Sequence, residues 1–263
     1  MRGRWTTVWA GLAIGVATTL SACAGQPPGT TPTPGLTARQ ADRDALAGLA
    51  AAAKDKRYIA MYTLSVAKRA NRTVTVAVAT DGSWVVGLPG GALGGLVDIA
   101  MFGSAAGLFQ CSLGPAAGSA AARPDLAPIS AGCVKVRRLT TTIDPQVQHV
   151  FTDWIDPLVD RATALSVAAV PQLPGSRGAC YSVESNSAAL APPVDPGIYC
   201  YGSDGVLTAA QVEFGTLTLA GSVSPAPPSV TMPAPVVNRA PLSMTAPPPP
   251  PSPSPSAGAS TTP

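Results

Sequence analysis

The sequence predicts an α+β fold, and three observations carry the prediction. Apolar residues recur at helical spacing up to Asp55, the period changes to two from Tyr58 onward, and the pattern then repeats as a second helix followed by more strands. The order helix, strands, helix, strands is that of an α+β domain.

The first helix is expected over residues 37 to 55. Thr37 reads as its N-cap with Gln40 three residues on, and Leu46, Leu49, Ala50 and Ala53 form one apolar face. Tyr58, Ala60, Tyr62, Leu64 and Val66 then alternate along a strand. A turn near Ala70 and Asn71 leads to Val74, Val76 and Val78 on a second, and the dipeptide Asp81-Gly82 is a hairpin signal leading to Trp84, Val86 and Leu88 on a third. The glycine-rich run 87–95 lacks the Lys and Ser/Thr of a phosphate loop and its glycine spacing, so it is read as a loop, or as backbone beside an apolar ligand. Short strands are expected around 97–102 and 107–112, followed by an Ala/Gly/Pro-rich loop over 113–133.

Asp144 followed by Pro145 marks the start of a second helix, in which Val147, Val150, Phe151, Trp154 and Leu158 share a face. The repeat of that start signal at Asp156-Pro157 predicts a kink or break there. His149 lies off the apolar stripe with Asp153 four residues on. No nucleophile motif accompanies the pair, so His149 is read as a solvated helical histidine and not as an acid/base catalyst. Strands are expected again at 165–170, 178–184 and 197–201, then after the Asp204-Gly205 turn at 206–214 and 216–222. Asn71-Arg72-Thr73 matches a glycosylation tripeptide but is read simply as a turn.

The N-terminus carries Arg2 and Arg4, an apolar run from Val8 to Leu20, and the sequence Leu20-Ser21-Ala22-Cys23. This is the pattern of a bacterial lipoprotein signal, so residues 1–22 are expected to be removed and Cys23 lipidated. Such an end would hold the protein on the extracytoplasmic face of the cell membrane, because two or more acyl chains anchor stably at about 0.8 kcal/mol per buried methylene. Residues 23–36 read as a Pro/Thr-rich tether, 37–236 as the folded domain and 237–263 as a disordered tail of polyproline character.

Without its signal the chain loses two arginines and its formal net charge falls from +3 to +1, which leaves no electrostatic footprint for nucleic acid. Charged residues are only 12% of the chain, so much of the polar surface must come from Thr, Ser, Gln and backbone. The Ala- and Pro-rich composition suits a high-GC genome such as that of an actinobacterium. Cys111, Cys133, Cys180 and Cys200 remain after Cys23. An even set in an exported chain points to disulfides, and of the three possible pairings Cys111 with Cys133 and Cys180 with Cys200 close the short local loops. No metal is expected, given a single histidine and no CxxC spacing, and no cofactor is called for.

The end of the first helix with AAKDKRYIAMYTLSV, the run TVTVAVATDGSWVVGLP, GLFQCS, PGSRGACYSV and GIYCYGSDGVLTAAQ together resemble the actinobacterial, mycobacterial-type LolA/LolB-like lipoproteins. The resemblance covers residues 40 to 222 in pattern more than in any sharp motif. It implies a curved antiparallel sheet forming a half-barrel covered by helices, and an apolar cavity that binds or transfers an acylated lipid or glycolipid. The disulfides are not part of that wider family's pattern. The competing expectation is a non-catalytic scaffold with a filled core, whose Pro-rich tail or a sheet edge docks a cell-wall partner. No catalytic constellation stands out, so an enzyme is not expected.

Overall fold

The strands lie where period-two alternation lets one face turn inward: β1 Tyr58–Ser65, β2 Arg72–Val78, β3 Trp84–Ala92, β4 Val97–Ser104, β5 Gly107–Pro115, β6 Gly132–Val136, β7 Leu165–Val170, β8 Ala179–Ser185, β9 Gly197–Tyr201, β10 Leu207–Val212, β11 Gly215–Leu219 and β12 Ser224–Pro225. They form one open antiparallel sheet in the order β6-β5-β4-β3-β2-β1-β11-β10-β9-β8-β7, with β12 pairing the start of β1. The helices are α1 (Pro34–Asp55) and α2 (Ile155–Val159). The structure, a computed structural model, describes residues 34–117, 129–186 and 192–248. Cys23, the expected signal and most of the tether lie outside the described residues. So does the middle of the 113–133 segment.

The sheet curves around its apolar face. Tyr62, Leu64, Val74, Val76, Val86 and Ile99 meet Tyr199, Tyr201, Val183 and Leu217 from the other wing in one core, which Leu46 and Ala50 of α1 and Phe151 and Leu158 of the 147–159 segment complete. This interior is filled. The Tyr62 and Phe151 rings are 4.9 Å apart, and the gap between Val147 and the row Val86, Leu88, Ile99, Met101 has no room for a water molecule. Among the described residues no helix is long and apolar enough to cross a membrane.

Several expectations need correction. Helix α1 begins at Pro34, three residues before Thr37, consistent with a proline that fits only the first turn. The second helix is broken, as the repeated start signal predicts, but its first piece is a 3₁₀ turn at Val147–Phe151 ahead of α2 and not an α-helix. Pro157 has no N–H to donate to Asp153, so it can only occupy the first turn of a new helix, and the break therefore precedes Ile155. Strand β6 falls within and just after the segment read as loop. The Gly-rich run continues β3 to Ala92 through a register shift and ends in a 3₁₀ turn at Leu93–Gly95.

The largest correction concerns the tail. Residues 237–248 are part of the fold, and only 249–263 lie outside the described residues. After β12 the chain runs as a strap. Pro227 and Pro228 carbonyls accept from Thr80 and Asp81, and Met232 and Ala234 cover Phe102, Phe109 and Cys111 on the outer face of the sheet. Pro235 and Val237 then bracket Cys133 along the free edge of β6. Beyond that edge the strap turns inward, where Ser243 and Met244 carbonyls accept from Leu93 and Gly94. A Cβ on Gly94 would lie 2.6 Å from the Ala246 side chain, so the glycine-rich run does meet close backbone, but that backbone is the strap. The opposite edge is covered too: the Ala169 N–H on β7 donates to Asp42 of α1 at 3.0 Å. An open sheet with both edges capped offers no ready template for strand addition.

Gln110, 2% exposed on the inner face of β5, holds the strap's end. Its amide accepts from Leu242 N–H at 2.6 Å and donates to Leu242 and Ile143 carbonyls at 3.0 and 3.2 Å. Gln110→Leu is expected to cost about 2 kcal/mol by orphaning these backbone groups. Limited proteolysis should then cut the strap faster than in the parent chain, and an unchanged digestion course would show that Gln110 does not hold it.

Candidate functional site

One register row crosses six strands at the end of the sheet where β1 begins. Tyr58 faces Val78, Val78 faces Trp84, Trp84 faces Gly103, Gly103 faces Leu108, and Leu108 faces Val136. Glycine at 103 leaves space that the indole fills, since a Cβ there would lie 2.3 Å from Trp84 Cε2. The large ring therefore lies flat across β4. The 147–159 segment roofs this row, and two adjoining clefts open between floor and roof, sharing Trp84, Thr152 and Asp153.

The smaller cleft, about 310 Å³, lies between Tyr58, Val78, Trp84, Val150, Phe151 and Leu207. Tyr201 is on its floor, 1% exposed, with a hydroxyl that has no hydrogen-bond partner among the described residues. Its rim holds Lys54 and Lys56, each matched by a carboxylate: Asp156 at 2.8 Å and Asp204 at 2.7 Å. The larger cleft, about 500 Å³, is bounded by Trp84, Gly103, Gly107, Leu108 and Leu139, with Arg137 and Arg138 at its lip and His149 and Asp153 in the roof. Both volumes fall in the range of small-molecule sites.

His149 is not a solvated surface histidine. Its side chain is only 13% exposed, its Nε2 lies 2.7 Å from Asp144 Oδ2, its Nδ1 lies 2.7 Å from Asp153 Oδ1, and its ring stacks on Trp154 at 5.3 Å. Both ring nitrogens face carboxylates, so the imidazolium form satisfies the geometry. Burial disfavours that charge, but the bonds to Asp144 and Asp153 outweigh it and push the pKa up to about 9. Burial likewise works against the two carboxylates, and the bonds from His149 still hold both below their ordinary range. Asp144 also accepts from Gln146 N–H at 2.9 Å and Gln148 Nε2 at 2.8 Å. Asp144 is not the expected N-cap: the 3₁₀ turn at Val147–Phe151 is preceded by Gln146 and has no side-chain cap, and Asp144 with Pro145 lies outside it. The carboxylate has a different role. It pins a turn in which Gln146 has a φ of 60°.

This triad makes the cleft roof pH-dependent. His149 gains a proton on folding at any pH between its ordinary 6.5 and about 9, so its stabilisation is complete below 6.5 and is lost as pH rises through 9. Asp144 and Asp153 act in the opposite sense, contributing above the ordinary 3.8 and losing that contribution as pH falls. A melting-temperature profile should therefore fall on the alkaline side between 6.5 and 9, and His149→Gln should flatten that limb. An identical alkaline fall in the variant would remove His149 as its cause.

The cysteines pair as Cys111–Cys133 and Cys180–Cys200, each facing its partner across neighbouring strands on the outer side of the sheet, away from the clefts. Among the described residues no group of three or more His, Cys, Asp or Glu is arranged to hold a metal ion. Sequence reasoning missed Trp84, Gly103, Arg137 and Arg138 as cleft residues. The adjacent arginines in a chain so poor in charge were the available signal. Comparison of the chain with protein-family models, with characterised proteins and with solved structures finds no match.

Proposed function

We propose that the protein is a non-catalytic lipoprotein of the extracytoplasmic envelope, anchored through Cys23, that binds an acylated molecule at the open end of a LolA/LolB-like half-barrel. The observation that carries this reading is the pair of adjoining clefts on either side of Trp84, with apolar floors and, in the smaller, a tyrosine hydroxyl that has no hydrogen-bond partner among the described residues. The interior between sheet and helices is filled by side chains, so the rim is where a chain fits without repacking the core.

The packed interior also favours a second reading, in which the half-barrel is a scaffold for a cell-wall partner and the clefts are incidental. Native mass spectrometry with lipid extraction separates the two. A Cys23→Ala chain exported in an actinobacterial host is expected to carry a stoichiometric lipid, and Trp84→Ala to lose it. A clean apo mass for the parent chain from that host would sink the binding role and leave the scaffold.

A further inference from the structure

The charges around the two clefts are not balanced alike. Around the smaller cleft Lys54 and Lys56 are paired with Asp156 and Asp204, and Arg57 donates to the Lys54 and Lys56 carbonyls. In the roof of the larger cleft the carboxylate of Asp153 is matched by His149, which Asp144 also contacts. Arg137 and Arg138 are different. Both are exposed at the lip, and neither has a carboxylate partner among the described residues. Two adjacent guanidinium groups present planar donor forks suited to the oxygens of a phosphate or carboxylate. Directly below them the floor is apolar: the Trp84 indole, lying over Gly103, with Leu108 and Leu139.

We propose that the larger cleft takes an anionic amphiphile, a single apolar chain ending in a phosphate or carboxylate. The charged group sits on Arg137 and Arg138 and the chain lies on Trp84 and Leu108. This rests on the binding role proposed above and narrows its ligand. A neutral lipid uses the same apolar floor but leaves both guanidinium groups in water, so the arginines supply discrimination and the floor supplies the common affinity.

The test is calorimetric titration of the exported Cys23→Ala chain at low salt with three monomeric probes of like chain length: a lysophosphatidylglycerol, a fatty acid and a monoacylglycerol. The anionic probes are expected to bind about tenfold more tightly than the neutral one, as two favourable but solvent-exposed charge contacts allow. Arg137→Gln/Arg138→Gln should erase that preference while leaving monoacylglycerol affinity and melting temperature unchanged, since both side chains are exposed. Preference for the phosphate or for the carboxylate probe supports the inference and names the head group. Equal binding of all three by the parent chain overturns the anionic assignment but keeps the binding role. A preference that survives in the double variant also overturns the assignment to these arginines. Failure of every probe to bind overturns both readings.

Discussion

Removing both disulfides, by Cys111→Ala/Cys133→Ala/Cys180→Ala/Cys200→Ala, is expected to cost about 6 kcal/mol, comparable to the whole stability of an ordinary domain. Each bridge closes a loop of about twenty residues, separations of 22 and 20, and the chain-entropy relation assigns about 3 kcal/mol to each. The two should add. They belong to separate clusters, Cys111–Cys133 beneath the strap with Phe102 and Ala234, Cys180–Cys200 with Ala209 and Leu173. Each also joins strands at or next to one end of the strand order, where fewer strands hold the ladder together. Denaturant titration of the two double-cysteine variants and of the quadruple variant checks this. A quadruple variant within 2 kcal/mol of the parent would show that the strand pairs hold their register without the bridges.

Arg43→Ala should be strongly destabilising, at about 3 kcal/mol, because it leaves buried carbonyls without their donor. The side chain is 5% exposed on the inner face of α1, and its guanidinium donates to the carbonyls of Leu158 at 2.7 Å, Pro157 at 3.0 Å and Asp160. Those carbonyls lie in and just after the last turn of α2, where the helix supplies no N–H of its own, and that of Asp160 also accepts from Thr163 N–H. Burial lowers the guanidinium pKa, and the negative charge of Asp160 works against that shift. Arg43 thus ties α1 to the 147–159 segment that roofs both clefts. Its loss should loosen the roof as well as destabilise the fold, so hydrogen exchange should quicken at Val147–Val159 before it quickens in β8–β10. Uniform exchange across both regions would mean that the contact stabilises globally and does not hold the roof specifically.

Much of the local structure was legible because its causes are local. The alternation from Tyr58 to Leu64 became β1 with those residues inward, Asp81-Gly82 became the β2–β3 turn with Gly82 at a φ of 84°, and the strands expected at 165–170 and 197–201 fall on those residues. The favoured cysteine pairs followed from the short segments between them. Strand β6 was missed because five residues, Gly132–Val136, beside a long Ala/Gly/Pro run carry too little alternation to stand out. His149 was misread because its burial comes from Asp144 and Trp154 meeting it around a broken helix, and a continuous helix would have left it facing water.

The amino-acid sequence by itself determined the periodicities, the turns, the helix α1 and the composition of the inner face, all set by contacts within about ten residues. Only the tertiary structure decided that β1 pairs with β11 at the centre of the sheet, that the strap crosses from the outer face to Gln110 on the inner one, and that Trp84 lies over Gly103 to divide two clefts. The reason is distance along the chain. Gln110 and Leu242 are separated by 132 residues, and no local pattern records a hydrogen bond whose partners are chosen by how the whole sheet curves.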